Sequence, residues 1–425
     1  MPRELLEAAV PAGADPRRYA LVLERVYTAT LAGTAPPARP RELIADSWSR
    51  VRRHGVDPDR GGGSHPIGLA EVEHRRRDSP LGEVLPGLRD GLVGVADDAE
   101  HIMVVVDAEG RVLWRDGSST VRRQADGLGF VEGACWDEDT VGTNAIGTAL
   151  AVGHPVQVYS AEHYVRTHHA WTCAAAPVRD PRDGGLLGAI DVSGPAATVH
   201  PSTLALVDAV ARLAELQLRS AHHLDLERLR VVASPMLARI DGPALVVDRH
   251  GWVAAASGLA PLARVLLPQQ AAGGRAWLPA LGACLLEPLP GGWLVRTAPD
   301  GSGPAARVEL DLRAPTRLTL SVSGSGGSWQ HPLSLRHAEI LLLLAAHPGG
   351  RTATELAEDL FGDPARTITV RAELSRLRRH LGGVLDHRPY RFSTGVEVVL
   401  HRPADPADLL PCSAAPAVRA LRAPA

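Results

Sequence analysis

Thr367-Ile368-Thr369-Val370-Arg371-Ala372-Glu373-Leu374-Ser375-Arg376-Leu377-Arg378-Arg379-His380-Leu381 is the stretch on which the reading of this chain turns. A helix turns by about 100° per residue. Val370, Leu374, Leu377 and Leu381 then fall at i, i+4, i+7 and i+11, which is one apolar stripe. Ser375, Arg376 and Arg379 project away from it, and Arg371 and Arg378 lie on its flank. The arginines outnumber the single acid, Glu373, whereas the wider segment 333–402 holds ten Arg against eight acids. The positive charge is therefore concentrated on this helix. A solvated amphipathic helix would also look like this. Guanidinium forks opposite a core are equally what guanine edges and phosphates require.

The neighbours favour the second reading. Leu335, Ala338, Glu339, Leu342 and Leu343 belong to a first helix with Ser334 as N-cap, ended by Pro348-Gly349-Gly350. Thr352 or Thr354 caps a second helix that runs to about Phe361. The third is the quoted stretch, stopped by Gly382-Gly383. Tyr390-Arg391-Phe392 and Val396 to Leu400 then read as a hairpin. Three helices and a hairpin give the order of a winged helix-turn-helix. The expected DNA contacts are Thr367, Thr369, Arg371, Ser375, Arg376, Arg378 and Arg379 on the third helix, with Arg388, Tyr390 and Arg391 on the wing.

This segment resembles the winged-helix output domains of OmpR/PhoB-type response regulators. The match runs from Thr369 to Gly382, with a Ser-Arg-Leu-Arg core at Ser375–Arg378 and a Leu-Gly ending, and continues in Pro389-Tyr390-Arg391-Phe392. The wing Gly-Tyr of that family stands here as Pro389-Tyr390. The resemblance implies a double-stranded DNA partner.

Upstream, Ile102 to Asp107 and Arg111 to Trp114 flank an Ala-Glu-Gly turn and read as a hairpin. Val156–Tyr159, Thr172–Val178 and Leu186–Val192 read as further strands, with helical composition between them. Strands separated by short helices suggest an antiparallel sheet carrying helices, an α+β arrangement. Gly133-Ala134-Cys135-Trp136-Asp137-Glu138-Asp139-Thr140-Val141-Gly142-Thr143-Asn144-Ala145-Ile146-Gly147-Thr148-Ala149-Leu150 is a polar loop entering a helix N-terminus, where backbone N–H groups could hold an anion or a carbonyl. A tight turn with a cap and no ligand is the alternative.

That stretch resembles the GAF domain at the front of acetoin-catabolism-type, sigma-54-dependent activators. Ser47-Trp48-Ser49-Arg50, Gly55-Val56-Asp57-Pro58, Glu162-His163-Tyr164, Cys173 to Val178 and Leu187 to Gly194 extend the match over about residues 40–215. The resemblance implies a GAF sensory fold whose pocket is lined by Cys135, Trp136, Glu138, Thr143, Asn144, His163, Tyr164 and Cys173. It also exposes a departure. Those activators carry an AAA+ ATPase, and this chain has neither the room nor the lysine for one.

Composition supports these limits. Among 425 residues, 45% are hydrophobic and 22% charged, the net charge is −3, and all 45 basic residues are arginine. Without lysine there is no Walker A loop, no kinase lysine and no pyridoxal Schiff base. The longest apolar run, Ile340–Ala346, is far shorter than the roughly 20 residues of a membrane span. Met1-Pro2-Arg3-Glu4 opens no secretory signal. Four scattered cysteines make neither a disulfide framework nor a zinc module. His163, His168, His169 and Cys173 have a spacing that could hold a metal, but they are read as ordinary helix and strand residues.

The expected organisation is an α+β multidomain chain: an N-terminal helical region 1–79, a GAF-like sensor 80–200 with an antiparallel sheet, a linking or dimerisation helix 201–235, a smaller β-rich, PAS-like module 236–323, a winged helix-turn-helix 332–402, and a disordered tail 403–425. The expected protein is a cytoplasmic, non-enzymatic, homodimeric transcriptional regulator. It binds double-stranded DNA and an unknown small-molecule or redox effector, with no cofactor, metal or membrane. The alternatives are a GAF-based cysteine redox enzyme built on Cys135 and Cys173, and a protein-binding signalling adaptor.

Overall fold

The computed structural model describes residues 6–61, 65–98, 100–268, 271, 273–278, 281–297, 307–314, 318–324, 327–381 and 384–422. The chain is a mixed α/β protein of two compact units, Met1–His222 and His223–Ala425.

Unit 1 begins with helices α1 (Pro16–Leu31), α2 (Glu42–His54), α3 (Leu69–Asp78) and α4 (Leu81–Asp98). Strands β1 (Ile102–Asp107) and β2 (Val112–Gly117) follow, then helices α5 (Ser119–Asp126), α6 (Glu138–Val141) and α7 (Ala145–Val152). Strands β3 (Val156–Tyr159), β4 (Trp171–Arg179) and β5 (Leu186–Pro195) complete an antiparallel sheet of order β2-β1-β5-β4-β3. Alternation along the strands splits the interior in two. Ile102, Val104 and Val106 face one core with Trp136, Tyr159 and Ala175. Met103 and Val105 face another with Leu88, Leu92, Ile190 and Leu204.

The N-terminal helices are not a separate region, contrary to the expected break at 79. Leu23, Val26 and Tyr27 of α1 and Ile44, Trp48 and Val51 of α2 lie in the first core. The Tyr27 hydroxyl donates to Tyr164 O at 2.8 Å and Trp48 Nε1 to Glu162 O at 2.9 Å. A Pro-rich connection at 35–40 suggested separation, but the apolar faces of α1 and α2 need the sheet to be buried.

Helix α8 (Pro201–Leu237) starts in unit 1. Its stripe of Leu204, Val207, Val210, Ala211, Ala214 and Leu218 packs into that unit's second core. Of the two readings of this stripe, the structure shows packing on its own unit.

In unit 2, Leu226, Leu229, Ala233 and Leu237 of α8 share a core with Val246 and Leu294. Strands β6 (Ala244–Asp248), β7 (Val253–Ser257), β8 (Gly274–Leu278), β9 (Gly282–Leu289) and β10 (Gly292–Thr297) form a sheet of order β7-β6-β10-β9-β8. Shifted by five strands, this is the order of the first sheet. At Gly251 (φ 81°) a Cβ would lie 1.8 Å from Val265 O, so the turn joining β6 and β7 admits only glycine.

The expected module boundary at 323 is corrected. Strands β11 (Arg307–Asp311) and β12 (Thr319–Gly324) do not join the β6–β10 sheet. With β13 (Gly327–Pro332) and β16 (Glu397–His401) they form a sheet of order β13-β12-β11-β16, in which β11 and β16 run parallel. Val308, Leu310, Leu320 and Val322 thereby face helix α9 (Leu335–Ala346), helix α10 (Ala353–Phe361) and helix α11 (Thr367–Leu381) in one core. Ser334 caps α9 by accepting from His337 N. Thr352 caps α10 through a capping box with Glu355, and Gly362 ends it at φ 65°. Gly382 and Gly383, the expected stop of α11, lie outside the described residues.

The expected hairpin of 390–392 with 396–400 is also corrected. Strand β14 (Leu385–His387) pairs with β15 (Tyr390–Phe392), while β16 is drawn away to β11. Nor is 403–422 a disordered tail. Leu409, Leu410, Ala415 and Val418, the last on helix α12 (Pro416–Ala420), are buried in the same core. The Ser413 hydroxyl donates to Glu339, and Arg422 donates to the carbonyls of Leu409 and Leu410. An Ala/Pro-rich composition masked a few apolar anchors sufficient to dock the segment. No helix among the described residues is long and apolar enough to cross a membrane.

Candidate functional site

The Gly133–Leu150 stretch folds around one buried carboxylate. Glu138 on α6 receives Arg50 Nε on Oε2 at 2.7 Å and Arg50 Nη2 on Oε1 at 2.9 Å. The hydroxyls of Ser47 (2.5 Å) and Thr148 (2.7 Å) also donate to Oε1, and Thr143 Oγ1 lies 2.7 Å from Ser47 Oγ. Burial alone would raise the Glu138 carboxyl. The guanidinium and the two hydroxyls outweigh it and hold the group below its usual range. Asn144 caps α7, its Oδ1 accepting from Gly147 N and its Nδ2 donating to Gly142 O. Of the two readings of this N-terminus, the Asn144 side chain supplies the cap of the second. Glu138, Thr143 and Asn144, three of the expected pocket residues, are engaged in internal bonds.

Gly147 has a separate reason to be glycine. A Cβ there would lie 2.6 Å from Glu138 N and 2.8 Å from Asp137 C, both backbone atoms that cannot rotate aside. Alanine favours a helix by about 1 kcal/mol over glycine, but overpacking costs about 1–3 kcal/mol. At these distances the clash wins. Gly147→Ala is expected to destabilise unit 1 by about 2 kcal/mol in urea unfolding, and a stabilised variant would refute this account.

Other expected pocket residues gather elsewhere in the first core. Trp136 tilts over Phe130 (centroids 4.1 Å) and over His168 (5.2 Å), and His168 meets His163 edge-on at 6.1 Å. All three ring systems of Trp136, His163 and His168 are buried, and Trp136 Nε1, His163 Nε2 and His168 Nδ1 lack hydrogen-bond partners. Burial drives His163 down to about 3 and His168 to about 4, so both are neutral. His168 was not among the expected pocket residues, although its place beside His163 and His169 was visible. Tyr164 is buried nearby in sequence and its carbonyl accepts from Tyr27. Among the described residues no cluster of His, Cys, Asp or Glu is arranged to hold a metal ion.

Cys135 and Cys173 are held as thiols. Cys135 Sγ donates to Glu109 O at 3.3 Å, and burial raises its pKa. Burial and the neighbouring Asp191 push the Cys173 thiol well above its usual range. Neither has the lowered pKa of a working nucleophile.

In unit 2, the α11 stripe is buried as expected: Val370, Leu374, Leu377 and Leu381 are each at most 1% exposed. Thr369, Arg371, Ser375 and Arg376 are exposed, Thr367 and Arg378 half-buried, and the Arg379 side chain lies outside the described ones. Arg376 pairs with Glu373, which also takes His337 Nε2 at 3.2 Å. Arg378 Nε has no partner. Tyr390 exchanges backbone hydrogen bonds with Arg351 (2.8 and 2.9 Å), which fixes the β14–β15 hairpin beside the start of α10. Between them runs an open groove of about 730 Å³ lined by Thr352, Ala353, Arg371, Arg378, His387, Arg388, Pro389 and Tyr390. Arg371, Ser375, Arg378 and Tyr390 also line a second depression of about 330 Å³. Arg391, also expected on DNA, donates to Asp386 Oδ2 at 3.1 Å. Thr352 and His387 were not foreseen in this groove. Ile368 on α11 is 80% exposed. The arrangement suits a polyanion: guanidinium groups on a rigid helix beside an open channel.

Residues 26–215 match the family model described as MimR, N-terminal domain. Three relatives are similar. An uncharacterized 47.3 kDa protein in the thcA 5′ region of Rhodococcus erythropolis is 34% identical over 85% of this chain and 65% of that protein. The acetoin dehydrogenase operon transcriptional activator AcoR of Bacillus subtilis is 38% identical over 44% of this chain and 31% of its own. The propane 2-monooxygenase operon transcriptional activator MimR of Mycolicibacterium smegmatis is 31% identical over 45% of this chain and 32% of its own. The chain thus spans about a third of the two named activators.

Proposed function

We propose that this chain is a DNA-binding transcriptional regulator, in which a GAF-type sensor in unit 1 receives a small-molecule effector and a winged helix at the end of unit 2 reads double-stranded DNA. The observation that carries it is α11, which buries its apolar stripe completely and turns Arg371, Ser375 and Arg376 outward beside a cationic groove. Two relatives named as operon activators support a regulatory role. As a DNA-binding regulator it would act in the cytoplasm. A homodimer is part of the proposal, because two recognition helices read two half-sites. Leu213 and Leu216, which α8 leaves exposed in unit 1, are the surface offered to the second copy.

The test is anisotropy titration of the full chain with duplex DNA selected from random sequence. Affinity is expected to fall steeply as salt rises. Arg371→Ala is expected to weaken binding by about 1–3 kcal/mol where the contact is to a base, and Arg391→Ala, whose guanidinium is engaged by Asp386, to weaken it less. Salt-independent binding, or an Arg371→Ala variant that binds as tightly as wild type, would remove the DNA reading and leave a protein-binding adaptor.

A further inference from the structure

Arg376 stands on the outer face of α11 with its side chain 59% exposed, yet it is not loose. Its Nη1 donates to Glu373 Oε1, one turn back on the same helix. A lone ion pair at this spacing on a helix surface is worth little. This one has a second anchor. His337 Nε2 reaches the other oxygen, Glu373 Oε2, from α9 at 3.2 Å. Both of those side chains are half-buried. The backbone of His337 is fixed as well, because its N donates to the capping hydroxyl of Ser334 at 3.2 Å. The carboxylate is thus gripped at both oxygens, from two helices that share one core.

The charges leave Arg376 as the cation of the set. Burial outweighs the attraction of Glu373 and holds the His337 imidazole below its usual pKa. A neutral ring donates one hydrogen bond through Nε2 and does not cancel the carboxylate. Among the described residues, Arg376 Nε and Nη2 enter no hydrogen bond. A guanidinium held by one nitrogen keeps a free edge, and guanine offers O6 and N7 to such an edge. Holding the side chain beforehand removes rotamer freedom that a loose arginine would lose on contact.

We propose that Glu373, anchored by His337, is a positioning residue that sets base specificity by holding Arg376 in the orientation that reads a guanine. This rests on the reading of α11 as the DNA-contacting helix and names the residues that give it selectivity.

The experiment measures anisotropy with the full chain, a duplex selected from random sequence, and copies of it with each base pair replaced in turn. A random duplex reports non-specific affinity. Arg376→Ala is expected to lose discrimination of about tenfold or more at a G·C pair, which marks the position it reads. Glu373→Ala frees the guanidinium. Discrimination at that same position should fall about threefold to tenfold, while positions read by other residues keep theirs. Affinity for the random duplex should rise, because an acid has left the DNA face. Glu373→Gln loses the same charge but keeps an oxygen for Arg376, and its amide N–H can bond His337 Nε2 in the other tautomer. It should show the same rise and keep most of the discrimination. If Glu373→Ala does not fold, His337→Ala releases the carboxylate at its other oxygen and is held to the same loss at that position.

Unchanged discrimination in Glu373→Ala, equal losses in the Ala and Gln variants, or an Arg376→Ala variant that loses discrimination nowhere would each overturn the proposal. So would a fall in random-duplex affinity in Glu373→Ala, the mark of a disturbed helix. The two readings fail separately. A wild type that ignores duplex DNA at low salt sinks the regulator and this role with it. Salt-dependent binding by the wild type, with selectivity indifferent to Glu373, sinks the positioning role alone.

Discussion

Glu162→Leu is expected to destabilise unit 1 by about 3–5 kcal/mol, the cost of leaving a buried charge without its partner. The pair is Arg41 and Glu162, whose side chains are 9% and 2% exposed. Arg41 Nε reaches Oε1 at 2.7 Å and Nη2 reaches Oε2 at 2.8 Å, a two-pronged contact. Nη2 also donates to Gln157 O at 2.5 Å, and Tyr159 N donates to Glu162 Oε2 at 2.9 Å. Leucine fills nearly the same volume, so the loss isolates the stranded guanidinium. The double variant Arg41→Met/Glu162→Leu removes both charges and should recover most of the stability. Urea midpoints of the wild type, both singles and the double close the cycle. A Glu162→Leu variant within about 1 kcal/mol of wild type would show that Arg41 escapes to solvent and that the pair holds nothing.

Asp191→Asn is expected to act in the opposite direction and to depend on pH. Asp191 on β5 is fully buried. Ser193 Oγ donates to its Oδ2 at 2.5 Å, and its Oδ1 has no partner. Burial raises its carboxyl to about 7, against which the Ser193 hydrogen bond is too weak to prevail. The folded-state pKa therefore lies above the unfolded value near 4. Stability is fully present below that unfolded value and is lost as pH rises through the folded one, because the folded state must then carry an ionised group in a dry core. A shift of this size corresponds to about 4 kcal/mol. Asparagine keeps the shape without the charge. The variant should match wild type at pH 4 and be more stable at pH 8 by up to about 4 kcal/mol. Urea denaturation at pH 4, 6 and 8 measures it, and a difference that does not change with pH would overturn the assignment.

The parts of the fold legible in the sequence are those governed by neighbours along the chain. Helix α11 runs over Thr367–Leu381 with the stripe its periodicity predicts, and Ser334 and Thr352 cap α9 and α10 as read. What could not be read involves partners far apart in sequence. The pairing of 307–311 with 397–401 has no local signature, since the two strands lie far apart along the chain. The burial of Leu409 and Val418 depends on a groove that exists only once α9 and α10 have packed.

The candidate sites divide in the same way. The sequence by itself determined that a cluster of guanidinium groups would stand opposite an apolar edge on α11, and that the Gly133–Leu150 stretch would run from a polar loop into a helix N-terminus, because periodicity and loop-to-helix composition are short-range properties of the chain. Only the tertiary structure decided which polar groups remain available. Glu138 meets Ser47 across 91 residues and Arg41 meets Glu162 across 121, so groups that look like ligands in the sequence are already satisfied. Trp136, His163 and His168, brought together by the same packing, each keep a ring nitrogen without a partner. Hydrogen bonding saturates: a donor proton or lone pair used inside the fold is lost to a ligand, and which are used is set by contacts that one-dimensional spacing does not contain.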